Sequence, residues 1–143
     1  ITGTVTDFDG NSYYTVTIGS QVWMKENLRT TRYRNGDLIG TTTPSTLDIS
    51  GESEPKYQWA YGGDEGNAVT LGRLYTWYAV TDGRHLCPDG WHVPSDEEWT
   101  ILADYLTQNG YGYEGSGGDI AKSLAARSSW QRCRTGTVRV TKA

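Results

Sequence analysis

The sequence is short of several residue types, and each shortage excludes something. It holds one Met, one Phe, two Cys, two His and four Pro among 143 residues. No apolar run approaches the ~20 residues that a bilayer-spanning helix needs, so a helical membrane span is excluded. No basic stretch followed by an apolar one is present, so no signal peptide is expected to remain, and with Ile in first place the chain is expected to be a processed or excised piece. C-x-x-C and Cys/His clusters are missing, which argues against a structural zinc site. The G-x-x-x-x-G-K phosphate loop and the G-x-S-x-G nucleophile turn are missing as well.

What the chain does carry is Trp and Tyr. Six Trp and ten Tyr stand against the single Phe. Both rings join a wide apolar face to a polar edge, which suits surfaces that are wet and adhesive at once. Such flat rings also stack on the apolar C–H faces of sugars. So much aromatic surface excludes a disordered chain. At this length one domain with a real core is expected. Trp, Tyr, Gly, Asn and Thr together give the composition an extracytoplasmic character.

Charge is uneven. Residues 1–130 carry nine basic against 17 acidic side chains, whereas residues 131–143 carry Arg132, Arg134, Arg139 and Lys142 and no acid. An acidic body argues against nucleic acid as a partner, because phosphate neutralisation needs clustered Lys and Arg. Cys87 and Cys133 are open to two readings: two free thiols, or a disulfide worth roughly 4 kcal/mol in the chain-entropy model.

The local patterns are short. Thr4–Thr6, Tyr13–Ile18 and Gln21–Met24 alternate and are separated by Asp7-Phe8-Asp9-Gly10-Asn11 and by Gly19-Ser20, which predicts a hairpin meander. Asp7-x-Asp9-x-Asn11 has the look of a calcium loop. Ser12 stands where an EF-hand needs Gly and Ile18 where it needs Glu, so turn capping is the expected role. Residues 34–70 read as loop, with Tyr57, Trp59 and Tyr61 at period two near the end, as in a short strand showing one aromatic face. Leu71, Leu74, Tyr75 and Tyr78 fall at helical spacing and predict a short helix over 71–80, ended by Gly83. Ser95 and Glu98 form a capping box, Asp96 and Glu97 suit a helix N-terminus, and Trp99, Leu102, Ala103 and Leu106 form a core stripe stopped by Asn109-Gly110. An Ala-rich helix is expected from Asp119 to about Arg127.

Catalysis has two candidate sets. His85 and His92 flank Cys87, but nearness in sequence is not geometry, and the Pro88-Asp89-Gly90 turn explains the region. A glycosidase needs two carboxyl groups at a set separation across the sugar, and Glu26, Asp37, Glu97 and Glu98 are candidates without a distinguishing motif.

Four motifs then occur in order: Gly10-Asn11-x-Tyr13; Ile18-Gly19-x-Gln21-x-Trp23-Met24-x-x-Asn27-Leu28; Gly72-x-Leu74-Tyr75-x-Trp77-Tyr78-Ala79-Val80; and Cys87-Pro88-x-Gly90-Trp91-His92-Val93-Pro94-Ser95-x-x-Glu98-Trp99. Together they resemble the Fibrobacter succinogenes major paralogous domain over residues 1 to about 130. The Trp91–Trp99 piece is also similar to one in formylglycine-generating-enzyme-like and C-type-lectin-like domains. The resemblance implies an α+β, C-type-lectin-like fold of short antiparallel strands, two to three short helices and long loops. It further implies a secreted or surface-anchored bacterial protein, often attached to polysaccharide-active machinery. It carries over no catalytic residue. After Trp130 the chain departs from the family pattern, where the charge changes sign. Residues 131–143 are therefore read as an atypical basic tail, a truncated or out-of-frame ending. Strands lost with it would leave sheet edges for a second copy to cover, making a homodimer.

Three functions follow as expectations. The first is a non-catalytic carbohydrate-binding or adhesion module, with polysaccharide stacked on Tyr57, Trp59, Tyr61 and Trp77, which lie in the long loop or off the presumed core. Trp91 and Trp99 are assigned to the core. The second is a glycan hydrolase using the carboxylates. The third is a surface scaffold that binds no glycan. No cofactor or metal is expected; calcium enters through the implied fold alone.

Overall fold

The computed structural model describes residues 3–115, 119–125 and 141–142. It is an α+β structure of short antiparallel strands, short helices and long connections. The expected meander is present. Strands β1 (Thr4–Thr6), β2 (Ser12–Ile18) and β3 (Gln21–Met24) pair antiparallel in sequence order. The Asp7–Asn11 turn is capped by its own side chains: the Asp7 carboxylate accepts from the Asn11 backbone N–H and Nδ2 at 2.9 Å and from the buried Tyr13 hydroxyl at 2.5 Å. Asp9 accepts from Thr31 N and Oγ1 and pairs with Arg32. The turn-capping role is therefore realised, and these carboxylates already face protein donors.

Strand β2 uses both of its faces. Tyr13 enters a first core with Met24, Leu28, Tyr33, Ile39, Ala79, Leu86, Cys87 and Trp91. Val16 and Ile18 instead pack against a second core built on Trp23, Leu102 and Leu106. The β2–β3 pair thus divides the molecule. The second core is closed by α3 (Asp96–Gln108), whose capping box forms as expected: Ser95 Oγ accepts from the Glu98 N–H, and Glu98 reaches back to the Ser95 N–H. The short α4 (Ile120–Leu124) adds Ile120 and Leu124 to the same core. Trp91 is buried as expected. Trp99 is not; it is 38% exposed and leans on Trp23, a residue of the second core, with centroids 4.8 Å apart and planes inclined by 44°.

The stretch expected to be a single helix over 71–80 is three elements. These are the end of α1 (Ala68–Leu71), β5 (Arg73–Tyr75) and the single turn of α2 (Trp77–Val80). Gly72 causes the break. It sits at φ +75°, and a Cβ there would lie 2.8 Å from the Leu28 carbonyl oxygen and 2.6 Å from Asn27 Cβ, so the chain leaves the helix and crosses close to another backbone. Strand β5 then pairs antiparallel with β4 (Gln58–Ala60), a non-local gain that helical spacing cannot reveal.

The larger sheet has the order β1-β2-β3-β7-β6, where β6 is Trp91–His92 and β7 is Thr141–Lys142. The last described residues of the basic tail thus lie between β3 and β6, opposite Trp23, Trp91 and His92. The rest of that tail, with Cys133 and any bond it makes, lies outside the described residues. Cys87 is a free, buried thiol.

Candidate functional site

The two-stranded ribbon β4–β5 carries the clearest surface feature. Its inner face is buried: Gln58 and Ala60 point in, opposite Tyr75 and Arg73. Arg73 anchors that face. Its guanidinium donates to the Arg29 carbonyl, the Gln58 side chain and the Glu65 carboxylate. Strand alternation therefore turns Tyr57, Trp59 and Leu74 outward.

Tyr57 and Trp59 meet on this outer face. Their ring centroids are 5.6 Å apart and the planes are tilted by 37°. Both are half-buried, yet neither belongs to either core. Their polar edges are held by the loop that precedes β4. Trp59 Nε1 donates to Thr42 Oγ1 at 2.8 Å, and the Tyr57 hydroxyl donates to Glu52 at 2.9 and 3.0 Å. The Glu52 contact raises the Tyr57 phenol pKa above its ordinary value, because it favours the protonated ring. Backbone contacts fix the strand from both sides. Gln58 N donates to the Gly40 carbonyl, and Tyr57 exchanges bonds with Thr76. Gly40 allows this closeness, since a Cβ there would meet Tyr57 Cδ1 and the Lys56 carbonyl at 2.9 Å.

The four aromatics expected to act together are thus placed unequally. Tyr57 and Trp59 are in ring contact. Tyr61 lies just beyond β4 in a 3-10 turn (Tyr61–Gly63) and is 48% exposed. Trp77 stands one residue past Thr76, the partner of Tyr57, and is 72% exposed. It rims a separate groove of about 360 Å³, lined also by Val80, Trp91, His92 and Ser95. Sequence patterning found the rings but missed Thr42 and Glu52, because a loop without periodicity gives no sign of which residues return to a strand.

The catalytic alternatives are placed as follows. Burial pushes the Cys87 thiol up to about 12, which disfavours the thiolate that a nucleophile needs. Glu98 is committed to the capping box and to His92 Nε2 at 2.7 Å. Burial alone would raise its pKa, but the Ser95 N–H and His92 outweigh that and hold it low. Asp37 is held low by Asn35 and then Arg84. Glu26 accepts the Tyr14 N–H at 2.8 Å, and Glu97 is exposed on the first turn of α3. A glycosidase acid must be held protonated. The carboxyls that their surroundings displace here, Asp37, Asp48, Glu65, Asp82, Glu98 and Asp119, all move toward the ionised form. Among the described residues no group of three or more His, Cys, Asp or Glu converges as a metal site. No helix among them is long and apolar enough to cross a membrane.

An α+β domain with an aromatic ribbon face is the class that these observations define. Residues 16–139 match the model of the Fibrobacter succinogenes major domain, and the chain belongs to that family. The match runs on through residues 131–139 of the basic tail. Comparison with curated proteins and with solved structures returned no match.

Proposed function

We propose that this domain is a non-catalytic glycan-binding or adhesion module of C-type-lectin-like fold, displayed outside a bacterial cell. Tyr57 and Trp59 form its stacking platform, with the exposed Tyr61 and Trp77 as secondary contact candidates. One observation carries this reading. The Tyr57–Trp59 pair lies outside both cores and is nevertheless fixed in place, with each polar edge bonded to a loop side chain. A ring held in advance loses little conformational freedom when a sugar stacks on it. The extracellular placement and the lectin-like fold rest on the family resemblance and on the Trp- and Tyr-rich composition.

The test is depletion of the protein from solution by a panel of polysaccharides, with released reducing ends assayed in the supernatant. Depletion without release is expected. It should be weakened in both Trp59→Ala and Tyr57→Ala while circular dichroism stays native. Equal depletion by wild type and both variants would place the site elsewhere. Release of reducing ends would establish a hydrolase, and failure of every glycan to deplete the protein would leave a scaffold.

A further inference from the structure

We infer that the platform accepts single, soluble, uncharged polysaccharide chains, and not crystalline faces or acidic glycans. The inference rests on the glycan-binding reading above and names its ligand class. Three observations lead to it.

The first is the 37° tilt between two rings whose centroids are 5.6 Å apart. Successive sugars on a crystal face lie in one plane and need coplanar rings beneath them. A free chain in solution turns from one residue to the next, and tilted rings follow that turn. Both rings are tethered in this arrangement, Trp59 to Thr42 and Tyr57 to Glu52.

The second is depth. Both rings are half-buried, and Thr42 and Glu52 reach them from the loop alongside. Two half-buried rings bordered by loop side chains offer a narrow contact, which suits one chain better than an extended flat solid.

The third is charge. Of the acids in residues 35–72, Asp37 is paired with Arg84 and Glu65 with Arg73, whereas Asp48, Glu52 and Asp64 have no basic partner among the described residues. Lys56 is engaged with Asp82 at 2.9 Å, and Glu52 touches the platform itself. A uronate or sulfate group placed there would meet like charge within the ~8 Å over which charges are felt at physiological salt.

The test is native affinity electrophoresis in gels cast with soluble xylan, galactomannan, mixed-linkage β-glucan or polygalacturonate, beside a pull-down on microcrystalline cellulose. Gels are run at low and high salt. Retardation by at least one neutral chain is expected, nearly independent of salt and weakened roughly tenfold in Trp59→Ala, a loss of about 1.4 kcal/mol. Tyr57→Ala serves as the second variant should Trp59→Ala unfold. No retardation by polygalacturonate and no retention on cellulose are expected. Binding to cellulose or polygalacturonate that the same substitutions abolish would overturn the ligand class while sparing the glycan reading. If none of the five materials binds, the glycan reading itself falls and takes this inference with it.

Discussion

At the scale of the residue, Tyr57 and Trp59 are anchored rings that lie outside both cores. Trp59 is held by Thr42, 17 positions away in sequence. Because its ring belongs to neither core, Trp59→Ala should lower glycan affinity about tenfold while costing only about 1 kcal/mol of stability. Titration calorimetry and thermal melts check the two halves of that statement separately. Cys87 gives a contrasting residue-scale prediction. A buried thiol with its pKa near 12 should resist alkylation at pH 8 until the domain unfolds. Peptide mapping after iodoacetamide treatment reads Cys87 separately from Cys133; rapid labelling of the native protein would show that the site is open. The aromatic candidates were legible in the sequence through their period-two spacing. Their partners were not, since a side chain that reaches back from a loop leaves no periodic trace.

At the scale of the element, α3 was readable because its signals are local. Ser95, Glu98 and the stripe through Leu102 and Leu106 lie within one short stretch. Ser95→Ala should cost about 1 kcal/mol in denaturant unfolding. Residues 71–80 were misread for the converse reason. Leu71, Leu74, Tyr75 and Tyr78 satisfy helical spacing, but β5 is decided by pairing with β4, 15 or so positions earlier in the chain, and by close packing at Gly72 against Leu28. Gly72→Ala should therefore destabilise by at least about 2 kcal/mol, since it adds both a positive-φ penalty and a backbone clash. Because Arg73 follows directly and pins the inner face of the ribbon, the same change should weaken glycan binding without touching an aromatic. A neutral effect in urea melts would show that the crossing is looser than described.

At the scale of the whole molecule, the β2–β3 pair separates two cores, and charged contacts tie the long loop to the rest. The Asp82 carboxylate receives Lys56 Nζ at 2.9 Å and the Arg84 guanidinium at 2.8 and 2.9 Å. Arg84 continues to Asp37 and lies over the Tyr33 ring, 4.1 Å from its centroid. Arg84, above all, holds the Asp82 pKa well below the ordinary carboxylate range. A carboxyl lowered in the folded state stabilises fully above its unfolded value, about 4, and loses that contribution as pH falls toward the folded value. Stability should therefore decline below about pH 4. Asp82→Asn should cost about 2 kcal/mol at pH 7 and flatten the acid limb, as followed by urea melts across pH. Family membership was legible in four ordered motifs. The position of β7 was not, because two residues at 141–142 carry no pattern that predicts a place between β3 and β6.

The measurement that bears most directly on the central claim is the indole N–H region of a ¹H–¹⁵N spectrum during titration with a soluble neutral glycan. The Trp59 signal can be assigned by its loss in Trp59→Phe. Its Nε1–H is bonded to Thr42 beside the platform, whereas Trp91 is buried in the first core and Trp23 in the second. The account predicts that the Trp59 signal moves in a saturable way while those of Trp23 and Trp91 stay fixed. A Trp59 signal that stays still while the protein binds glycan would contradict it.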